Sequence, residues 1–205
     1  MLSTLVLGAA AFTGVAASPL DSFVPHVIAP YASHPMVARA LRADPTVSSF
    51  DPDVVAFVGK PDAPFDERLA VLATLAQRPP SAQTAAELER ALLGGAFASL
   101  KIAATPGEAL ALAGYVALTG DRDRADRARP YLTAAKRQSP GSFGVAVVAA
   151  IIDGHIAAQK GASWCRSWQQ LKAPLFDARL STDLGDGMLL HYSEMALSTR
   201  ELCRR

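Results

Sequence analysis

Residues 139–161, SPGSFGVAVVAAIIDGHIAAQKG, decide the fold. Ser139-Pro140 is a cap-then-proline helix start, and Gly161 supplies a stop. Between them the chain is apolar on nearly every side of a helix, from Phe143 through Ile151 and Ile152 to Ala158. A helix without a polar face is buried in the middle of a bundle, so other helices must surround this one. The composition supplies them. Of 205 residues 40 are Ala and none is Asn, half are apolar and 19% are charged. Alanine is the best helix former and lets helices approach closely, so the class expected is all-α. The same figures exclude a disordered chain, which needs low hydrophobicity and high net charge.

Working outward from this helix, Thr105-Pro106 opens another that Gly120 ends, and Asp121 or Asp123 starts the next. In that segment, 121–137, DRDRADRARPYLTAAKR, Ala125, Ala128, Leu132 and Ala135 face inward while Arg122, Arg124, Arg127 and Arg129 face solvent. Pro130 predicts a kink or break. Arg122 with Asp126 and Asp123 with Arg127 are four apart and would partly neutralise each other on an α-helix. Upstream, Asp66–Gln77 reads as a helix stopped by Pro79-Pro80. Ser81 or Thr84 caps a second with Leu88, Leu92, Ala96 and Leu100 on one face. Downstream, helices are expected around Trp164–Leu171 and Gly187–Cys203. The sum is a bundle or short solenoid of about seven antiparallel helices over 65–205.

The segment 18–64 differs. It holds eight of the 14 prolines, which removes donors and rules out a long helix, so it reads as an extended arm. Met36–Arg42 suits one or two helical turns and Val54–Val58 a short strand. Tyr31, Phe50 and Phe57 are too apolar to stay solvated and are expected to form a contact surface, on the helical body or on a partner. Ahead of the arm, residues 2–17, LSTLVLGAAAFTGVAA, are uncharged and end on small residues. They read as a secretory signal, although no Lys or Arg precedes the apolar run. A membrane anchor, making membrane contact through 2–17, and an ordinary buried helix are the other readings; the run is shorter than the roughly 20 residues a spanning helix needs. The expected location is periplasmic or secreted.

The stretch 106–140 resembles a tetratricopeptide repeat, a helix pair of about 34 residues. The matching residues are Gly120 and Asp121 at the turn, Ala125 five positions after that glycine, Tyr131 and Ala134 on the second helix, and Pro140 at its end. Tyr131, Ala134 and Pro140 fall later than the pattern, Pro130 is foreign to it, and the first helix lacks the usual Trp and Gly. The resemblance implies stacked helix pairs whose concave face binds a peptide or protein.

Chemistry has few footholds. No phosphate-binding, dinucleotide-binding, H-E-x-x-H, G-x-S-x-G or C-x-x-C motif occurs. His191 and Glu194, three apart on the last expected helix, are the candidate catalytic or metal-binding pair, but a zinc site takes three protein ligands. Asp153 and His155 point about 200° apart on a helix and cannot form a dyad. Cys165 precedes His191 as in some cysteine hydrolases, without their flanking signature. Cys165 and Cys203 both lie on inward stripes, compatible with a disulfide or with two buried thiols.

The net charge of +1 argues against nucleic acid as the partner. The basic side chains Arg122, Arg124, Arg127, Arg129, Lys136 and Arg137 suit an acidic protein instead. The expected function is a non-catalytic scaffold or adaptor in a cell-envelope assembly, with no metal or cofactor. The alternatives are a small helical hydrolase or metal enzyme using His191 and Glu194, and a periplasmic carrier of an apolar ligand.

Overall fold

The computed structural model describes residues 27–42, 51–77, 82–94, 105–163 and 165–169. Among them the protein is all-α: a 3₁₀ turn at Ala29–Tyr31, then α1 (Pro35–Arg42), α2 (Pro52–Gly59), α3 (Phe65–Ala76), α4 (Ala82–Leu92) and α5 (Gly107–Gly120). A second 3₁₀ segment, Arg122–Ala128, leads into α6 (Arg129–Gln138), α7 (Phe143–Gln159) and α8 (Cys165–Gln169). No strand occurs among the described residues, and none of their helices is long and apolar enough to cross a membrane. The expected helix around Gly187–Cys203, and with it Cys203, His191 and Glu194, lies outside the described residues. So do residues 2–17 and Phe50.

Three helices are buried nearly all round and make the centre: α3 from Arg68 to Ala76, α5 from Ala109 to Thr119, and α7. Helix α5 packs against α3, α4, α6, α7 and the second 3₁₀ segment, so it shares with α7 the central place expected of α7 alone. Leu69, Leu110, Leu112, Leu118, Ile151 and Ile152 are almost completely out of water. Burying a side chain of that size stabilises the fold by about 1.5–3 kcal/mol.

Two prolines of 18–64, Pro35 and Pro52, start helices rather than preventing them. Pro35 opens α1, where a missing N–H costs nothing, and the His34 ring accepts a hydrogen bond from the Met36 amide through Nδ1 at 3.2 Å. Pro52 opens α2 behind Asp51, whose carboxylate caps the Asp53 amide at 2.9 Å. The strand expected at Val54–Val58 is therefore helix. Val54 and Val58 stand one helical turn apart, and both are buried. With Val27, Val37 and Ala40 they join the same core as the rest of the chain, so the described parts of the arm are helical and rest on the body.

Arg39 ties α1 to the start of α2, reaching Asp51 at 2.7 Å and Asp53 at 2.6 Å. Partial burial pushes the Asp51 carboxyl up, but the Asp53 amide and Arg39 together hold it below its usual value. Arg68 fastens α3 to the other end of α2, where its Nε donates to the Val58 carbonyl at 2.8 Å. A cation is favoured at that end by the exposed helix carbonyls. Burial lowers the affinity of Arg68 for its proton, and Glu108 opposes that effect.

Two helix starts sit away from the expected positions. Pro106 is the N-cap residue of α5 rather than its first helical residue, and Thr105 stands one position earlier. Helix α7 begins at Phe143 behind Ser142, whose hydroxyl accepts from the Val145 amide at 3.3 Å, so the cap is Ser142 and not Ser139. Its end is as expected: Gly161 takes φ +67°, a conformation L side chains avoid.

Candidate functional site

The second 3₁₀ segment and α6 carry the basic side chains picked out from the sequence. Ala125, Ala128, Leu132 and Ala135 are buried beneath them, which fixes the inner face as expected. Arg124, Arg127, Arg129, Lys136 and Arg137 are exposed, and Arg122 is half-buried. Pro130 does not kink a long helix, because it occupies the first turn of α6, where its missing donor is harmless. The break falls earlier, at Arg124, with φ −114° and ψ 49°. Residues 122–128 wind about three per turn instead of 3.6, so residues four apart no longer share a face, and the expected Arg122–Asp126 and Asp123–Arg127 spacing loses its basis. Arg127 lies instead 3.9 Å from Asp121, and Lys136 bonds Asp153 on α7 at 3.1 Å.

The segment is anchored through its backbone. The Arg122 carbonyl lies 3.2 Å from His155 Nε2 and also accepts from the Gln159 side-chain amide. His155, buried, and Asp153, paired with Lys136, thus serve different neighbours, in keeping with their opposed directions on α7.

Tyr31 and Phe57 are half-buried against the chain's own core. The Tyr31 hydroxyl donates to Asp66, and the Phe57 ring lies 5.3 Å from that of His34, tilted by 44°. His34 also sits 3.4 Å from Glu67. Tyr31 and His34 thus meet α3, and Phe57 packs on His34 and the core. Cys165 opens α8, half-buried. The bridge to Cys203 expected from the sequence lies outside the described residues.

One feature went unrecognised in the sequence. Glu89, on α4, is only 5% exposed, and its Oε2 accepts a 3.0 Å hydrogen bond from the Tyr131 hydroxyl on α6. Beside it lies a hollow of about 110 Å³ lined by Ala85, Ala86, Glu89, Ala117, Gly120, Asp121 and Arg127. Gly120 is required there, since a Cβ on it would lie 2.7 Å from that of Ala85. Burial pushes the Glu89 carboxyl above its usual value, against the pull of Tyr131 and Arg127. Burial, together with the Glu89 charge, pushes the Tyr131 phenol up to about 12, so it stays a donor at any physiological pH. Spacing offered no signal for this pair, because its two members are 42 residues apart.

No group of three or more His, Cys, Asp or Glu side chains suited to a metal ion occurs among the described residues. No protein-family model matches the sequence, and comparisons with curated proteins and with solved structures find no match.

Proposed function

We propose that the chain is a non-catalytic helical scaffold or adaptor that holds an acidic protein partner along the ridge formed by the second 3₁₀ segment and α6. The observation that carries this reading is the exposure of Arg124, Arg127, Arg129, Lys136 and Arg137 above a row of buried alanines and Leu132. A partner meets these charges on a rigid base, which lowers the entropy lost on binding. Arg127 and Lys136 each have a carboxylate close by, whereas Arg124, Arg129 and Arg137 extend the positive surface beyond those pairs. Asp123 and Asp126 are exposed on the same segment, and the surplus of basic side chains over them steers an oppositely charged partner. The antiparallel pair α5 and α6 spans the stretch that resembles a tetratricopeptide repeat, which suits a binding role. Export to a cell-envelope assembly belongs to the same proposal and rests on residues 2–17.

The test is to replace Arg124, Arg129 and Arg137 together with Gln in the full chain and to identify what copurifies. The reading expects an acidic partner to be lost while the helical circular dichroism spectrum and melting temperature are retained. Retention of the same partner at the same yield and salt sensitivity would refute it.

A further inference from the structure

We propose that the hollow between α4, α5 and the second 3₁₀ segment is a binding site for a primary ammonium group carried on a short alkyl stem. This inference does not rest on the partner ridge, although Arg127 belongs to both surfaces.

The site offers three things at once. Its polar end is Glu89, held by Tyr131 through Oε2; a carboxylate has about four acceptor positions, and this bond uses one. Its walls include the methyl groups of Ala85, Ala86 and Ala117, which suit methylenes. Asp121 and Arg127 also line it, and the 3.9 Å between them is longer than a hydrogen bond, so the half-exposed guanidinium is loosely held. With both carboxylates ionised the lining carries two negative charges and one positive. One added monocation makes it neutral, whereas an added anion would face a buried carboxylate.

Size and donor chemistry narrow the class. A hollow of about 110 Å³ admits a small occupant and excludes a drug-sized one, whose pockets begin near ~300 Å³. A divalent cation of the calcium type takes six to eight oxygens, and two carboxylates among methyl groups do not supply them. An ammonium has three donors and needs fewer partners. Removal of Glu89 from water makes a cation there worth more than at the surface, and the raised affinity of Glu89 for a proton is a sign of the same demand.

The amine could come from a free small molecule or from a lysine side chain, so two probes are used. Propylammonium chloride and a short peptide with one central lysine are each titrated into the ¹⁵N-labelled full chain at constant ionic strength, with tetramethylammonium and sodium chloride as controls. The expected result is saturable shifts at Ala85, Ala86, Ala117 and Arg127 with propylammonium but not with the controls. Binding of propylammonium alone assigns the site to small amines, and competition by the peptide at equal or lower concentration assigns it to a lysine side chain. Glu89→Gln should weaken binding at least tenfold. Ala86→Leu should abolish it by filling the hollow, with every charge retained, so the test survives if either variant folds poorly. Absence of saturable shifts with both probes, equal shifts with tetramethylammonium, or unchanged affinity in folded Glu89→Gln or Ala86→Leu would overturn the proposal.

Discussion

Replacing Tyr131 with Phe removes one oxygen and leaves the shape of the core intact, so it isolates the bond that joins α6 to α4. The Tyr131 hydroxyl is 3.0 Å from a carboxylate on a residue 5% exposed, so the loss is not made good by bulk water. A hydrogen bond to a charged group contributes about 1.5–3 kcal/mol, and that is the expected cost. In a chain of this length each kcal/mol lowers the melting temperature by about 2–4 °C, giving a fall of about 3–12 °C. With Glu89→Gln in the background the partner is a neutral amide, and the same substitution should cost only about 0.5–1.5 kcal/mol. Urea unfolding followed by circular dichroism on the four proteins of this cycle measures the difference, provided the slope of stability against urea is unchanged. Equal costs in the two backgrounds, within about 0.5 kcal/mol, would show that the two side chains do not act as a unit and would refute the reasoning.

Glu89 also sets a pH dependence. Burial raises its affinity for a proton above the unfolded value of 4.5, so the native state binds protons more strongly, and stability should fall as pH rises from about 4.5 through the raised value. Glu89→Gln should flatten that part of the curve in melts between pH 4 and 8, and an unchanged slope would count against the burial. Gly144→Ala places a Cβ 2.5 Å from Cε1 of Phe65, so α7 and the start of α3 must separate or the ring must turn. Overpacking of about 1–3 kcal/mol should outweigh the ~1 kcal/mol gain in helix propensity, giving a lower melting temperature than wild type. A Cys165–Cys203 bridge would close a loop of nearly 40 residues and contribute about 3–4 kcal/mol in the chain-entropy picture. Mass spectrometry of alkylated, non-reduced protein from an oxidising compartment should find no free thiol, and two alkylated cysteines would contradict the bridge.

The sequence carried the helix class because buried helices are written locally: α3, α5 and α7 are mostly apolar stretches with glycine or proline near their borders. It misled wherever one residue type has two structural uses. Proline stops a helix from inside but begins one at the first turn, so Pro35, Pro52 and Pro130 suggest breaks by residue type and act as starters by position. The valines at 54, 55 and 58 suggested a strand by residue preference, while Val54 and Val58 have the four-residue spacing of a helix and are placed by packing on α4 and α3. The inner face of the basic segment was legible from its alanines. Its 3₁₀ winding was not, because it depends on α7 holding the Arg122 carbonyl from a point more than 30 residues downstream. Glu89 was invisible for a similar reason. In the string Glu87-Leu88-Glu89-Arg90 it reads as one more solvated charge, and it leaves the water where α4 packs on α5 and the Tyr131 hydroxyl arrives from α6.

The uneven distribution of burial also sets an order of opening. Helices α1 and α2 reach the body through a few buried valines and Ala40, helped by polar contacts such as His34 with Glu67, and are joined to each other by Arg39 with Asp51; these side chains retain a fifth to a third of their exposure. Those pairs are within reach of salt, and the two short helices can lift without uncovering α5. Helix α5 has no comparable exit. Every residue from Ala109 to Thr119 is buried, and five neighbouring elements must part before its amides meet solvent. Hydrogen exchange at those amides therefore reports the free energy of global unfolding, while exchange in α1 and α2 reports the smaller cost of detaching one edge.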